Sequence, residues 1–323
     1  MKRTDATAFT HRGSLCVDLP RLVFDEFYSF EVGRAPGVRR NKRENMQTAA
    51  IRTYWEGAAP GWARWEPTIA AWMEPATEAL LTMAGVGAGA RVLDLASGAG
   101  SQTLRAAQRV GVQGHVVACD IADTMLRHVR ENARAAGLTH VTTLAGAAED
   151  LDVAAESFDA VISRLALMLF CDPARALRAV RRALRPGGKV AVVVFTTPAA
   201  NPFMAEPMQI LLRHAGKTPP ASGQPGIFAL GAPGAIERLF ADSGFVDIER
   251  RTVALALRMP SAAEALAMMQ EAFGAYRAVV GDCPEAVRLA AWADVGATLR
   301  TFETATGFVA PAEVLVAAGA RPA

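Results

Sequence analysis

The chain has no apolar run near the roughly 18–20 residues that a membrane helix needs; strand-like runs such as Val190–Phe195 are far shorter. Charge of one sign is also lacking. Lys plus Arg number 34 against 32 for Asp plus Glu, and a net +2 gives no footprint for nucleic acid. The four cysteines show no CxxC spacing, and Cys119 falls in a predicted buried strand, so a disulfide scaffold is excluded in favour of reduced thiols. The five histidines form no cluster with acids or cysteines at ligand spacing, so no metal is expected. The opening MKRTDATAFTHRG carries no leader-like apolar stretch, and the expected location is cytoplasmic. What the chain does have is core: 51% of its 323 residues are hydrophobic.

Residues 1–45 hold nine basic and six acidic residues and show no helical or strand period, so they read as a tail without catalytic role. Met46 opens a helical cap over 46–90. From residue 90 apolar runs alternate with amphipathic helices, the pattern of a mostly parallel α/β sheet. Strands are expected at Arg91–Leu95, His115–Cys119, Val141–Leu144, Phe158–Ser163 and Lys189–Phe195. Between them lie a helix facing inward through Leu104, Ala107 and Val110, one capped by Asp123 and ended by Gly137, and one opened by Asp172-Pro173. After residue 196 the period degrades. Segments 197–231 and 261–303 read as insertions at the site, with a short helix near Pro207–His214 and two or three helices in the second. A helix over Ala235–Ser243 and strands over Phe245–Leu257 and Glu313–Ala318 complete 197–323.

The informative segment is the strand Val92-Leu93-Asp94-Leu95 running into Ala96-Ser97-Gly98-Ala99-Gly100-Ser101. Glycines there let a ligand approach the backbone, and the following helix offers free N–H groups. Asp120 lies 20 residues beyond Gly100, at the end of the second strand, where an acid can accept from ribose hydroxyls. The ligand expected is a nucleoside cofactor. A dinucleotide fingerprint wants a third glycine where Thr103 stands, which weakens a nicotinamide-dependent oxidoreductase without removing it.

In VLDLASGAGSQTL, VVACDIADTML, AGAAEDLDVAAESFDAVISRLAL and DPARALRAVRRALRPGGKVAVVVF, residues 91–196 resemble the class I S-adenosylmethionine (SAM)-dependent methyltransferases, particularly the branch that includes ubiquinone/menaquinone-biosynthesis C-methyltransferases. The resemblance implies a Rossmann-like α/β fold: a mostly parallel seven-stranded sheet, helices on both faces and a helical lid. It implies SAM as cofactor and S-adenosylhomocysteine as product. Asp94, Ser97, Gly98 and Gly100 would form the loop under the methionine moiety. Asp120 would hold the ribose, Ile121 would pack on the adenine with Met125 nearby, and Ala148 and Glu149 would flank its edge. Arg164 would face the methionine tail or the acceptor. Ala147 departs from the Asp or Asn of many relatives, which leaves Glu149 or Asp150 for the adenine amino group.

Neither an Asn/Asp-Pro-Pro-Tyr/Phe motif nor a Pro-Cys nucleophile is present, so a small-molecule acceptor is favoured over DNA. Methyl transfer is an in-line displacement that rests on positioning, with a base needed only for a protonated acceptor. His214 is the candidate base and Arg164 the other candidate catalytic residue. Tyr54, Trp62 and Trp65 before the turn, with Met204, Met208, Met268 and Met269 in the insertions, are candidates for the wall around an apolar, ring-containing acceptor. The alternative function is a catalytically silent SAM-binding protein. A chain begun at Met46 is expected to keep its melting temperature and its SAM affinity; a large drop in melting temperature on that deletion shows instead that the tail packs on the core.

Overall fold

The structure is a computed structural model that describes residues 42–219 and 224–323. The expected tail therefore lies outside the described residues up to position 41. The first helix begins at Lys42, four residues ahead of Met46. This helix, α1 (Lys42–Met83), contains Pro60, Pro67 and Pro75, each of which removes one backbone donor from its ladder. Its second half is core: Ile69, Trp72, Met73, Leu80 and Leu81 are buried.

The parallel strands β1 (Arg91–Leu95), β2 (His115–Asp120), β3 (Val141–Ala145), β4 (Phe158–Arg164) and β5 (Leu184–Phe195) pair in the order β3-β2-β1-β4-β5. Apolar runs such as Val92-Leu93 and Val190–Val194 are buried because helices cover the sheet. The connecting helices are α2 (Ser101–Val110), α3 (Asp123–Ala135) and α4 (Pro173–Ala183). The fifth strand begins ahead of the expected Lys189, and Pro186-Gly187-Gly188 is a bulge within it: Phe158 pairs with Leu184 and Ala160 already pairs with Lys189. Beyond β5 come α5 (Pro202–Ala215), α6 (Ala235–Asp242), β6 (Val246–Met259), α7 (Ala262–Ala272), α8 (Gly274–Val280), α9 (Glu285–Leu299), the two-residue β7 (Glu303–Thr304) and β8 (Gly307–Ala320). Strand β8 inserts between β5 and β6, antiparallel to both, and β7 pairs with β8. The path β3-β2-β1-β4-β5-β8-β6 holds the seven expected strands, and β7 makes the sheet eight-stranded.

Three local expectations are corrected. The helix capped in the sequence by Asp123 starts on Asp123, because the capping acceptors come from Asp120 and Glu56 instead. The inward face of α2 is Gln102, Thr103, Ala106, Ala107 and Val110, with Leu104 half-buried, because the polar pair serves the buried Asp94. The last strand runs well beyond Glu313–Ala318, since β6 gives it a long partner. In α3, Met125, Leu126, Val129 and Ala133 are buried as the periodicity predicts.

Helix α1 crosses α7 at Gly61, where a Cβ would stand 1.9 Å from the Glu271 carbonyl oxygen. Gly61→Ala should therefore cost about 1–3 kcal/mol through overpacking and lower the melting temperature by several degrees. Gly57→Ala one turn earlier, with nothing within 4 Å of the added carbon, should not. Equal melting temperatures for the two variants would contradict this contact.

Candidate cofactor and acceptor site

Strand order reverses between β1 and β4, and the crevice at their carboxyl ends is where open α/β sheets bind ligands. The turn Ala96–Gly100 lies there. Gly100 has φ +100° and a Cβ at that position would meet Val129 Cγ2 at 2.9 Å, so only glycine lets α2 begin this close to α3. Asp94, at the end of β1, is fully buried; its carboxylate accepts from the Thr103 hydroxyl at 2.5 Å and from the Gln102 amide at 3.3 Å. The residue that breaks the dinucleotide fingerprint thus has a task of its own. Burial pushes the Asp94 carboxyl up to about 7, against those two hydrogen bonds and the nearby Arg164 charge. Gln102 also donates to the Ser97 carbonyl at 3.0 Å, while the Ser97 hydroxyl is buried without a partner.

Asp120 ties the turn to the next strand. One carboxylate oxygen accepts from the Gly98 N–H and the other from the Ala122 N–H, both at 2.9 Å. Burial raises its pKa, and these backbone donors oppose the rise. Ile121 beside it is half-exposed. Ala148 is buried, and the Glu149 carboxylate accepts from the Cys171 N–H at 3.2 Å. Asp150 pairs with Arg175 of α4 at 2.5 Å. Met125 is buried in a small cluster with Ala59, Ala99 and Ala122, so α1 covers it. The Arg164 guanidinium is taken up by two hydroxyls. It donates to the Thr77 hydroxyl at 3.0 Å and the Ser101 hydroxyl at 2.6 Å, a bracing position under the first turn of α2.

Two site residues escaped the sequence reading. Glu66 accepts from the Ser101 N–H at 2.7 Å, and Glu56 from the Asp123 N–H at 2.6 Å and the Thr124 N–H at 3.2 Å. The Thr124 hydroxyl and these N–H groups hold Glu56 below its ordinary value. Both acids lie in α1, distant in sequence from the helices they cap, so no local motif marks them.

Next to the turn is a cavity of about 930 Å³, counted out to its open side. Trp55 and Trp62 belong to both places, packing on Ala59, Ala99, Ala122 and Met125 and forming part of the cavity wall. Tyr54, Trp62 and Met204 line it as expected residues; Trp72, Phe195, Phe273 and Tyr276 line it as unexpected ones. One signal could have found Trp72: Trp55, Trp62 and Ile69 recur every seven residues, with Trp72 three later, on one helical face.

The other wall candidates are corrected. Trp65 donates to Glu271 at 2.9 Å and lies off the cavity. Met268 and Met269 are wholly buried in the core, and Met208 packs half-buried against it, because the inner faces of α7 and α5 serve helix packing. His214 sits near the end of α5, paired with Asp294 of α9 at 2.8 Å, and is not among the described residues that line the cavity. Among the described residues no group of three could hold a metal, and no helix is long and apolar enough to cross a membrane.

Residues 87–214 match a family model described as a methyltransferase domain. Over 120 residues the chain is 38% identical to a ubiquinone/menaquinone biosynthesis C-methyltransferase of Proteus mirabilis, covering 37% of this chain and 48% of that one. The Pasteurella multocida enzyme of the same name is 39% identical over 120 residues, covering 37% and 45%. The chain thus spans about half the length of the curated relatives it matches. Among solved structures, the YcgJ protein of Bacillus subtilis superimposes with a TM-score of 0.53 at 17% identity, over 77% of this chain and 99% of that one. A protein titled the [4+2]-cyclase SpnF superimposes at 0.51 and 15% identity, over 83% and 97%. The fold is the Rossmann-like one of class I methyltransferases.

The raised Asp94 carboxyl has a measurable consequence. Between about pH 4 and 7 the folded chain keeps a proton there that the unfolded chain has released, so this group's contribution to stability falls as pH rises and is flat above. Urea denaturation of wild type and Asp94→Asn across pH 4.5–8 should show the wild type losing ground relative to the variant up to about pH 7; parallel profiles would show an ordinary carboxylate.

Proposed function

We propose that this chain, which carries a methyltransferase domain over residues 87–214, transfers the methyl group of SAM to a carbon or oxygen of an apolar, ring-containing small molecule. The observation that carries the reading is the junction at Trp55 and Trp62, side chains shared by the glycine turn and the apolar cavity. A donor group held at the turn and an acceptor in the cavity are neighbours there.

The residues at the turn fit the cofactor. Gly98 leaves its approach clear, with open space where a Cβ would stand, the Ser97 hydroxyl is buried and unpartnered, and Asp120 stands at the strand end with backbone-anchored oxygens. In this reading Ser97 and the turn hold the amino-acid end, Asp120 the ribose, and Ile121 and Ala148 the adenine. When bound, the cofactor supplies a sulfonium methyl that an electron pair of the acceptor displaces from sulfur. Trp55, Trp62 and Tyr54 present aromatic faces that favour a positive centre and keep water from it. Arg164 braces Ser101, and through it the first turn of α2. Segments 197–231 and 261–303 supply the outer wall through Met204, Ile227, Phe273, Ala275, Tyr276 and Ala278.

Among the described residues no histidine, acid or lysine lines the cavity, and the Tyr276 hydroxyl is committed to the Met204 carbonyl at 2.8 Å. Positioning rather than proton abstraction by a wall side chain is then the chain's contribution, which suits an electron-rich carbon: the methyl adds first, and the proton of that carbon leaves afterwards to solvent. The names of the curated relatives agree with carbon as the target. A second reading, cofactor binding without methyl transfer, is favoured by one observation. Glu56 and Glu66 already occupy the helix N-termini beside the turn. Among the described residues Cys119, Cys171 and Cys283 form no disulfide, which suits a cytoplasmic setting.

Calorimetric titration should detect SAM and S-adenosylhomocysteine and not NAD. Asp120→Ala should weaken SAM by about 1.5–3 kcal/mol, the scale of lost hydrogen bonds to a charged group. Unchanged affinity in a folded Asp120→Ala variant removes the cofactor assignment. SAM binding without label transfer to any apolar acceptor, using methyl-labelled SAM, favours the second reading.

A further inference from the structure

A glycine turn that leads into a helix is ordinarily a place for anions, since free N–H groups and the helix dipole both favour negative charge. Here that place is filled from within the chain. The Glu66 carboxylate accepts from the Ser101 N–H at the start of α2, at 2.7 Å. The Glu56 carboxylate accepts from the Asp123 and Thr124 N–H groups at the start of α3, at 2.6 and 3.2 Å. The two acids stand ten residues apart on α1, about 15 Å along its axis. Between them Ala59 and Trp62, with Trp55 next to Glu56, pack on Ala99 of the turn and Ala122 ahead of α3. Asp120 adds a third carboxylate at the lip of the crevice, and Asp94 a fourth carboxyl that burial pushes up to about 7. The cations that act on these acids are Arg164, whose guanidinium is held by two hydroxyls, and Arg127 near Glu56. Even with Asp94 left out, the carboxyl groups outnumber the guanidinium groups.

We infer that Glu56 and Glu66 are specificity-determining residues of the cofactor site: the negative charge they hold at both helix starts rejects phosphate-bearing nucleosides and favours a sulfonium over its neutral thioether. The inference rests on the cofactor assignment made above and goes beyond it in naming the residues that select the charge of the ligand. A nucleotide phosphate would meet two carboxylates where a phosphate-binding turn offers free N–H groups, and like charges repel more strongly in a crevice that holds little water. SAM and S-adenosylhomocysteine differ by one methyl group and one positive charge on sulfur. Their amino-acid ends are identical and cancel in a comparison. Once the methyl has left, the charge that the two acids attract has left with it, so the same pair helps the product to depart.

The test uses the full chain and calorimetric dissociation constants for SAM, S-adenosylhomocysteine, adenosine and adenosine monophosphate. Wild type is compared with Glu56→Gln and Glu66→Gln, in which an amide oxygen of nearly the same shape can still accept from the N–H groups. Glu249→Gln controls for net charge. Glu249 lies in the same row of the sheet as Asp94, reached through Ile162, Ala191 and Ala318, four strands and about 19 Å away, where salt screens it. Wild type should bind adenosine at least about tenfold more tightly than the monophosphate. At least one of the two variants should lower both preferences, SAM over S-adenosylhomocysteine and adenosine over the monophosphate, by about threefold or more, the scale of one charge removed at a partly exposed site. Glu249→Gln should move neither. The monophosphate binding wild type as well as adenosine, ratios unmoved in both variants, or ratios moved as far by Glu249→Gln, overturns the inference, and SAM binding in the same series leaves the cofactor reading standing. Should neither variant fold, the wild-type pair decides. A chain that rejects the monophosphate through Glu56 or Glu66 and does not bind SAM keeps the charge filter and loses the methyl-donor reading; one that binds none of the four ligands loses both.

Discussion

Backbone N–H groups left without partners at the starts of α2 and α3 are the constraint around which the site is arranged. A helix cannot satisfy its own first donors, and here neither helix has a capping side chain at its N-cap position. Carboxylates from elsewhere do the work: Glu66 at Ser101, Asp120 at Ala122, and Glu56 at Asp123 and Thr124. Each is an anion at the positive end of a helix dipole, where it is stabilised. Because Glu56 and Glu66 both come from α1, satisfying those donors also sets α1 across the mouth of the crevice. The same placement brings Trp55 and Trp62 over Ala99 and Ala122.

Helix α1 consequently serves two sites with one face. Its C-terminal half is core, with Met73, Leu80 and Leu81 fully buried. Its N-terminal half carries the aromatic residues that border the turn on one side and the cavity on the other. The cavity is completed by residues far along the chain, from Phe195 at the end of β5 to the Phe273–Tyr276 pair opening α8. Tyr276 donates to the Met204 carbonyl and so fixes α8 against α5. That bond commits the Tyr276 hydroxyl to holding elements together, which leaves its part of the wall apolar.

The buried acids show how one residue type takes different duties. Asp94 has no access to solvent and holds α2 onto β1 through Thr103 and Gln102. Its strongly raised pKa is the cost of that position. Asp120, one strand over, accepts from backbone donors and stays at the lip of the crevice. Both acids fall at strand ends in sequence, and spacing alone does not distinguish the structural acid from the one suited to a ligand.

From the sequence by itself the strands of the parallel half, the glycine turn and the place of Asp120 at a strand end were legible, because each is marked by a local pattern of residues. Strand runs between helical periods dictate β1 to β5, and a turn of small residues between Leu95 and Ser101 needs no distant partner to be recognised. The half of the site built by α1 and by the segments after Phe195 was not legible in the same way. His214, Met268 and Met269 are reasonable cavity residues by position, yet they face α9 and the core, because the packing angle of a helix decides which of its faces meets the cavity. Glu56 and Glu66 look like solvated charges on an amphipathic helix until α2 and α3 stand beneath them. Local periodicity determines which residues are helix, strand or turn; only the tertiary structure decides which side chain meets an unsatisfied N–H or an empty wall, since those partners lie tens to hundreds of residues away.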